Sequence, residues 1–167
     1  KYRIARAYGK TDDEVVNVQY SCLLLRATDL LHMTEDRTPS IMYNVINPTD
    51  PVTQREWGRQ AGVKRVCSKR SKNADGVIDD DAPRNEIEVH AYFEQPLPFF
   101  ALASFLKYTE MELRRCSQWA ALANRKGAKH KFPWTGIDQS NIETQGFLSQ
   151  SFAFKLNEAK ILNLLTG

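Results

Sequence analysis

Leu24-Leu25-Arg26-Ala27-Thr28-Asp29-Leu30-Leu31-His32-Met33 sets an aspartate in the middle of an otherwise apolar run. Upstream and within it, Val15, Val18, Cys22, Leu25 and Leu30 recur near helical spacing, and Val16, Tyr20, Leu23, Leu24 and Leu31 widen that face. Thr11-Asp12-Asp13-Glu14 reads as a capping box, with the Thr11 hydroxyl accepting from a backbone N–H while Glu14 reaches back. The pattern predicts a central core helix that ends before Pro39, because proline disfavours the helical conformation at Thr38. Asp29 is costly in such a helix unless it is paired, protonated or metal-bound. Arg26 stands one turn before it and His32 one turn after it. Two readings stay open: Asp29 is the buried ion-pair partner of Arg26 or Arg37, or it is a metal ligand.

Outward from this helix, residues 44–53 hold two prolines, two asparagines and an aspartate and read as a loop. Residues 54–60 suit a short helix anchored by Trp57 and ended by Gly62. Residues 63–68 read as a strand, and residues 86–93 alternate strictly, with Ile87, Val89, Ala91 and Phe93 on one face. The two strands are expected to pair as a hairpin or meander, joined by a mobile polar loop over residues 69–84. Pro96 and Pro98 open a long helix that runs through Phe99, Leu102, Leu106, Leu113, Trp119 and Leu122 toward Gly127. A basic linker follows over residues 125–131, and a module boundary is expected near residue 131. The tail carries a short alternating strand over residues 151–156 and then a helix, capped by Asn157, through Leu165. The fold class is therefore α+β, mostly α: a helical core over residues 1–130 with a small antiparallel sheet around 63–93, then a strand-helix tail over 131–167.

Composition narrows the function classes. The chain has 167 residues, of which 42% are hydrophobic and 26% charged, and this balance excludes wholesale disorder and collagen-like repeats. No apolar run approaches a bilayer span, so no membrane partner is expected. Lys and Arg number 23 against 20 Asp and Glu, a net charge of +3, so any nucleic-acid reading rests on local clusters. Lys64, Arg65, Lys69, Arg70 and Lys72 form one such cluster, and Arg114, Arg115, Arg125, Lys126, Lys129 and Lys131 a second. Solvated faces and salt-bridged loops are the competing reading of both. Cys22, Cys67 and Cys116 are odd in number and lack zinc-ligand spacing, which points to a reducing, cytoplasmic compartment and to Cys22 as a buried thiol. His90 falls on the outer face of its strand and His130 in the basic linker, so neither is expected to be a metal ligand and neither completes a metal set with Asp29. There is no glycine-rich phosphate loop and no G-x-S-x-G, and no cysteine is expected to have a histidine partner.

Residues 25–31 with Arg37 resemble the last motif of HD-domain phosphohydrolases, and alarmone hydrolases carry a similar helix with a Leu-Ala-Asp-Arg-Leu-His core. The resemblance implies that Asp29 matches the final aspartate ligand of a divalent metal (Mn, Fe, Zn or Mg). His32 matches a position that is commonly present without ligating. The chain has no His-Asp dipeptide, so the other ligands of that family are not matched. Trp57, the two strands and the long helix follow the element order of HD domains fused to ATPases. Phe152-Ala153-Phe154-Lys155-Leu156-Asn157 and the helix through Leu165 are similar to the opening of HtpG-like GHKL ATPase domains. The nucleotide-binding segment of that superfamily would come next, so ATP and Mg²⁺ are implied only for an ATPase part beyond this chain. Together the resemblances imply a piece of a cytoplasmic bacterial HtpG-like, HD-fused ATPase, in stress response or phage defence. The chain would act as its regulatory or scaffolding module, not catalytic alone, with the rest of the parent or a second copy as partner. The start at Lys1 and the end at Leu164-Leu165-Thr166-Gly167 are expected to be cut ends. The alternatives are an HD-type phosphohydrolase completed by another chain, and a nucleic-acid-binding module using the basic clusters.

Overall fold

Asn17 caps the first helix, α1 (Val18–Leu31), its side chain accepting from the Tyr20 backbone N–H at 3.1 Å. The computed structural model describes residues 17–79, 82, 84–123 and 131–148. The expected capping box at 11–14, the Gly127 cap and the strand-helix tail at 151–165 lie outside the described residues.

Beyond α1, a short 3₁₀ turn (Glu35–Arg37) leads past Pro39 into α2 (Ser40–Ile46). This helix replaces the first part of the loop expected at 44–53. It ends where Asn47 adopts the left-handed conformation (φ 43°), which asparagine tolerates well. The next helix, α3 (Pro51–Ala61), starts earlier than expected: Asp50 accepts from the Thr53 N–H at 2.7 Å, and Pro51 takes the first helical position. Trp57 does act as an anchor, its ring 5.4 Å from that of Tyr43, which ties α3 to α2.

The strand β1 (Val63–Ser68) follows Gly62 directly. The stretch expected as a mobile loop holds a small hairpin, β2 (Ser71–Lys72) with β3 (Ile78–Asp79). Its turn is held by the Asn73 side chain, which accepts from the N–H groups of Asp75 and Val77, and by Gly76 at φ 80°. The central strand, β4 (Glu86–Phe93), pairs antiparallel with β1, as the alternation predicts. The long helix α4 (Pro96–Ala123) then crosses back and delivers β5 (Gly136–Thr144) parallel to β4. The main sheet runs β1-β4-β5 and is mixed, not purely antiparallel. Residues 136–144, which fall in the tail expected over 131–167, are thus a strand of the main sheet. A parallel neighbour needs a crossover of a dozen or more residues, and α4 supplies it. The architecture is α+β and mostly helical. No described helix is long and apolar enough to cross a membrane.

The core lies between β4 and α4. Ile87, Val89, Ala91 and Phe93 project into it from the sheet, and Leu102, Leu106, Leu113, Cys116 and Ala120 from α4, joined by Leu23 and Ala27 of α1. The α4 stripe also buries Thr109 and Glu112. The Glu112 carboxylate, 2% exposed, accepts from Arg26 of α1 through Nε at 2.9 Å and through Nη2, and from Arg115 Nη1 at 2.7 Å. Cys22, expected inside, is exposed, and Cys116 is the buried thiol.

Two substitutions test this packing. A Cβ at Gly62 would collide with the Phe93 ring, which is 4% exposed and has nowhere to go. Gly62→Ala is expected to destabilise by about 1–3 kcal/mol, since the unfolded-state gain of about 0.4–1 kcal/mol offsets only part of the overpacking. A calorimetric Tm at or above that of the wild type would contradict this. Arg26 above all holds the Glu112 carboxyl below the ordinary glutamate range. Its contribution is therefore complete above the unfolded value of about 4.5 and is lost as pH falls through the lower folded value. Glu112→Gln should cost about 2 kcal/mol at neutral pH and show a shallower acid loss of stability. Parallel pH–stability curves for the two proteins would count against the ion pair.

Candidate functional site

Ala27 has no exposed surface, and two residues further along a helix turn the chain by about 200°, so Asp29 faces away from the core. The expected burial of Asp29 does not occur. Cys22, Leu25, Asp29 and His32 share the outer side of α1, with Leu25 72% exposed. The ion-pair reading of Asp29 also gives way. Arg26 reaches Glu112 instead, and Arg37 donates to the His32 carbonyl at 2.9 Å. The His32 ring approaches Asp36 at 3.9 Å. Among the described residues Asp29 joins no group of three metal-ligating side chains close enough to share one ion. Those residues alone do not hold the metal that the HD resemblance implies.

The first basic cluster is dispersed. Lys64 pairs with Glu35 at the 3₁₀ turn. Lys69 bridges Glu86 and Asp138 at 2.9 Å each. Arg65 lies opposite His90 in the sheet, and Arg70 and Lys72 are exposed at the β2–β3 hairpin. In the second cluster Arg114 pairs with Glu110 and donates to the Thr135 carbonyl, and Arg115 pairs with Glu112. Arg125, Lys126 and Lys129 lie outside the described residues. Lys64, Lys69, Arg114 and Arg115 thus have carboxylates beside them, which lowers the value of these four as phosphate contacts. A cavity of about 460 Å³ lies where α2, α3 and the start of α4 meet, with Tyr43, Gln54, Trp57, Leu97 and Pro98 in its wall. Arg55 is the one charged residue among the described ones that line it, so it offers no acid–base pair.

The sheet brings together residues that the chain separates. Cys67 of β1 is registered directly against Glu88 of β4, and His90, two residues on, projects from the same face. The Cys67 thiol donates to Glu88 Oε1 at 3.6 Å, and His90 Nε2 meets the same oxygen. The three ligand atoms lie within 4.8 Å of one another. Burial pushes the Cys67 thiol up, and the His90 hydrogen bond holds the Glu88 carboxyl down. All three side chains are half-buried. The sequence marks Glu88 and His90 as same-face neighbours, but Cys67 joins them only through strand register, a relation that linear spacing does not carry.

A family model described as HD-CE matches residues 1–115, a span that includes Asp29, Cys67, Glu88 and His90. No curated protein and no solved structure matches the chain.

Lys69 gives a direct check of the polar sheet face. The Ser140 backbone N–H, 2.9 Å away, and then Lys69 lower the Asp138 pKa to about 2. Lys69→Met should move the Asp138 titration upward in a carboxyl-carbon NMR experiment, but not fully to the ordinary value, because the Ser140 donor remains. An unmoved titration would mean that Lys69 points elsewhere in solution.

Proposed function

The chain belongs to the HD-CE family, and from that premise we propose that it works as a regulatory or scaffolding module of an HD-fused, HtpG-like ATPase, not as a self-contained hydrolase. The observation that carries this reading is the uncovered apolar surface of α2. Ile41 and Val45 are each 75% exposed, Ile46 52% and Met42 49%, all within one short helix. Monomeric soluble proteins rarely leave such a contiguous patch open. Among the described residues Asp29 joins no ligand group, which supports the same reading, since a lone carboxylate does not make a metal centre. Support for the ATPase part rests on the resemblance of residues 152–165 to the opening of GHKL domains.

The occupant proposed for the α2 surface is a second copy of this chain. Because Ile41 and Val45 point outward, charging them should not disturb the core. Light scattering is expected to show concentration-dependent association of the wild-type chain and a shift to monomer in an Ile41→Glu, Val45→Glu double variant of unchanged Tm. A wild-type chain that stays monomeric at high concentration would overturn the proposal, as would association that the double variant leaves intact.

A second reading is favoured by the outward placement of Asp29. An exposed carboxylate on α1, beside His32, is open to ligands from another chain, as an HD-type phosphohydrolase completed in trans would require. On that reading Asp29→Ala leaves the metal content of the isolated chain unchanged and lowers it only in the completed assembly, by elemental analysis.

A further inference from the structure

We propose that Cys67, Glu88 and His90 form a zinc site on the outer face of the main sheet, independent of Asp29 and of the α2 surface. Thiolate, imidazole and carboxylate are the three side-chain donors that zinc takes, and a thiolate discriminates against magnesium, manganese and calcium. Metal–ligand distances near 2.0–2.3 Å put tetrahedral ligands about 3.3–3.7 Å apart. The 3.6 Å between Cys67 Sγ and Glu88 Oε1 is already in that range. His90 Nε2 needs only a small rotation away from Glu88 to open the third corner.

The scaffold is suited to holding such a geometry. The ligands come from two hydrogen-bonded strands, and β4 is flanked by strands on both edges, so their backbones are fixed by the ladder. Glu88 and His90 are 24% and 35% exposed, which leaves an entry path for an ion. Three protein ligands leave a fourth position for water. Arg65, opposite His90, is the cation that faces the group, with Asp138 and Asn141 facing it from β5. The thiolate and the carboxylate together neutralise a divalent ion, so Arg65 meets no net positive charge.

A thiol–imidazole catalytic pair is the competing use of these residues. The arrangement disfavours it, because Glu88 Oε1 stands between Cys67 and His90 and accepts from the thiol. A nucleophilic thiol needs a base or cation that lowers its pKa. Here Arg65 lowers the thiol, but burial and the adjoining carboxylate act in the opposite sense and the thiol stays raised, and a metal ion is what would convert this trio into a consistent set.

The test uses the full chain carrying Cys22→Ser, which removes the exposed thiol. Zinc is titrated against a chromophoric chelator, and cobalt(II) is added in a parallel experiment. Expected are one zinc per chain and the intense near-ultraviolet thiolate-to-cobalt band. Cys67→Ser should abolish the band, and Cys67→Ser and His90→Gln should each weaken zinc binding by more than about tenfold. Asp29→Ala and the Ile41→Glu, Val45→Glu variant should leave binding unchanged. No zinc uptake, or uptake without a thiolate band, would overturn the proposal, as would binding that survives Cys67→Ser. The band reads the sulfur in a chain with its sheet residues intact, so it decides the matter even where a sheet variant fails to fold.

Discussion

β4 must satisfy two environments at once, and the placement of the other elements depends on how it does so. Its odd-numbered residues Ile87, Val89, Ala91 and Phe93 need a dry neighbour, and α4 provides one. Its even-numbered residues carry charge or hydroxyl and need partners that are not simply water, because β1 and β5 flank the strand on both sides. The result is lateral pairing across the ladder: Glu86 with Lys69, Glu88 with Cys67 and His90, and Tyr92 with Gln145. A solvated edge strand would leave such groups to water. On a central strand they must find each other, and this concentrates unlike donors within a few ångströms.

The second constraint is Glu112. A carboxylate inside the apolar stripe of α4 is tolerable only if cations reach it. Arg115 can do so from the same helix, but Arg26 must come from α1, and that sets the rotation of α1 about its axis. Arg26 remains 47% exposed on its side chain, in keeping with a long stem that packs on the core while part of the head stays wet. With Leu23 and Ala27 turned inward and Arg26 at the rim, Asp29 and Leu25 have only the outer side left. The cost that the sequence assigns to Asp29 is thus avoided by orientation instead of by pairing.

Local patterns were legible and registers were not. The alternation of residues 86–93 and the helical spacing of α1 and α4 each belong to a single element, so the sequence alone could show them. In β5 the two inward residues, Ile137 and Ile142, are five apart, an odd spacing that destroys the period of two. The irregularity in pairing between Glu88 and His90 absorbs the extra residue and returns Ile142 to the core side. No scan for alternation finds such a strand. α2 escaped because its ends carry the signal and its interior does not: Pro39 before it and the left-handed Asn47 after it bound a single apolar pair of turns. The exposure of Asp29 was hidden for a different reason, since it follows from the Glu112 carboxylate far along the chain.

Asp29 and the Cys67 trio therefore belong to separate chemistries. α1 packs on α4, and the inner face of β4 is buried in the same core that the α4 stripe fills. The trio projects from the opposite, outer face of the sheet. The core thus separates the two, and no single ion could draw ligands from both. A metal at Asp29 would need donors supplied from outside the described residues. The sheet face already holds three of its own, in an arrangement that strand pairing alone maintains. A metal on the sheet would cross-link β1 to β4 and stiffen the strand on which the core is built. Its natural consequence is structural support for the module's central strand, whatever chemistry α1 is later found to join.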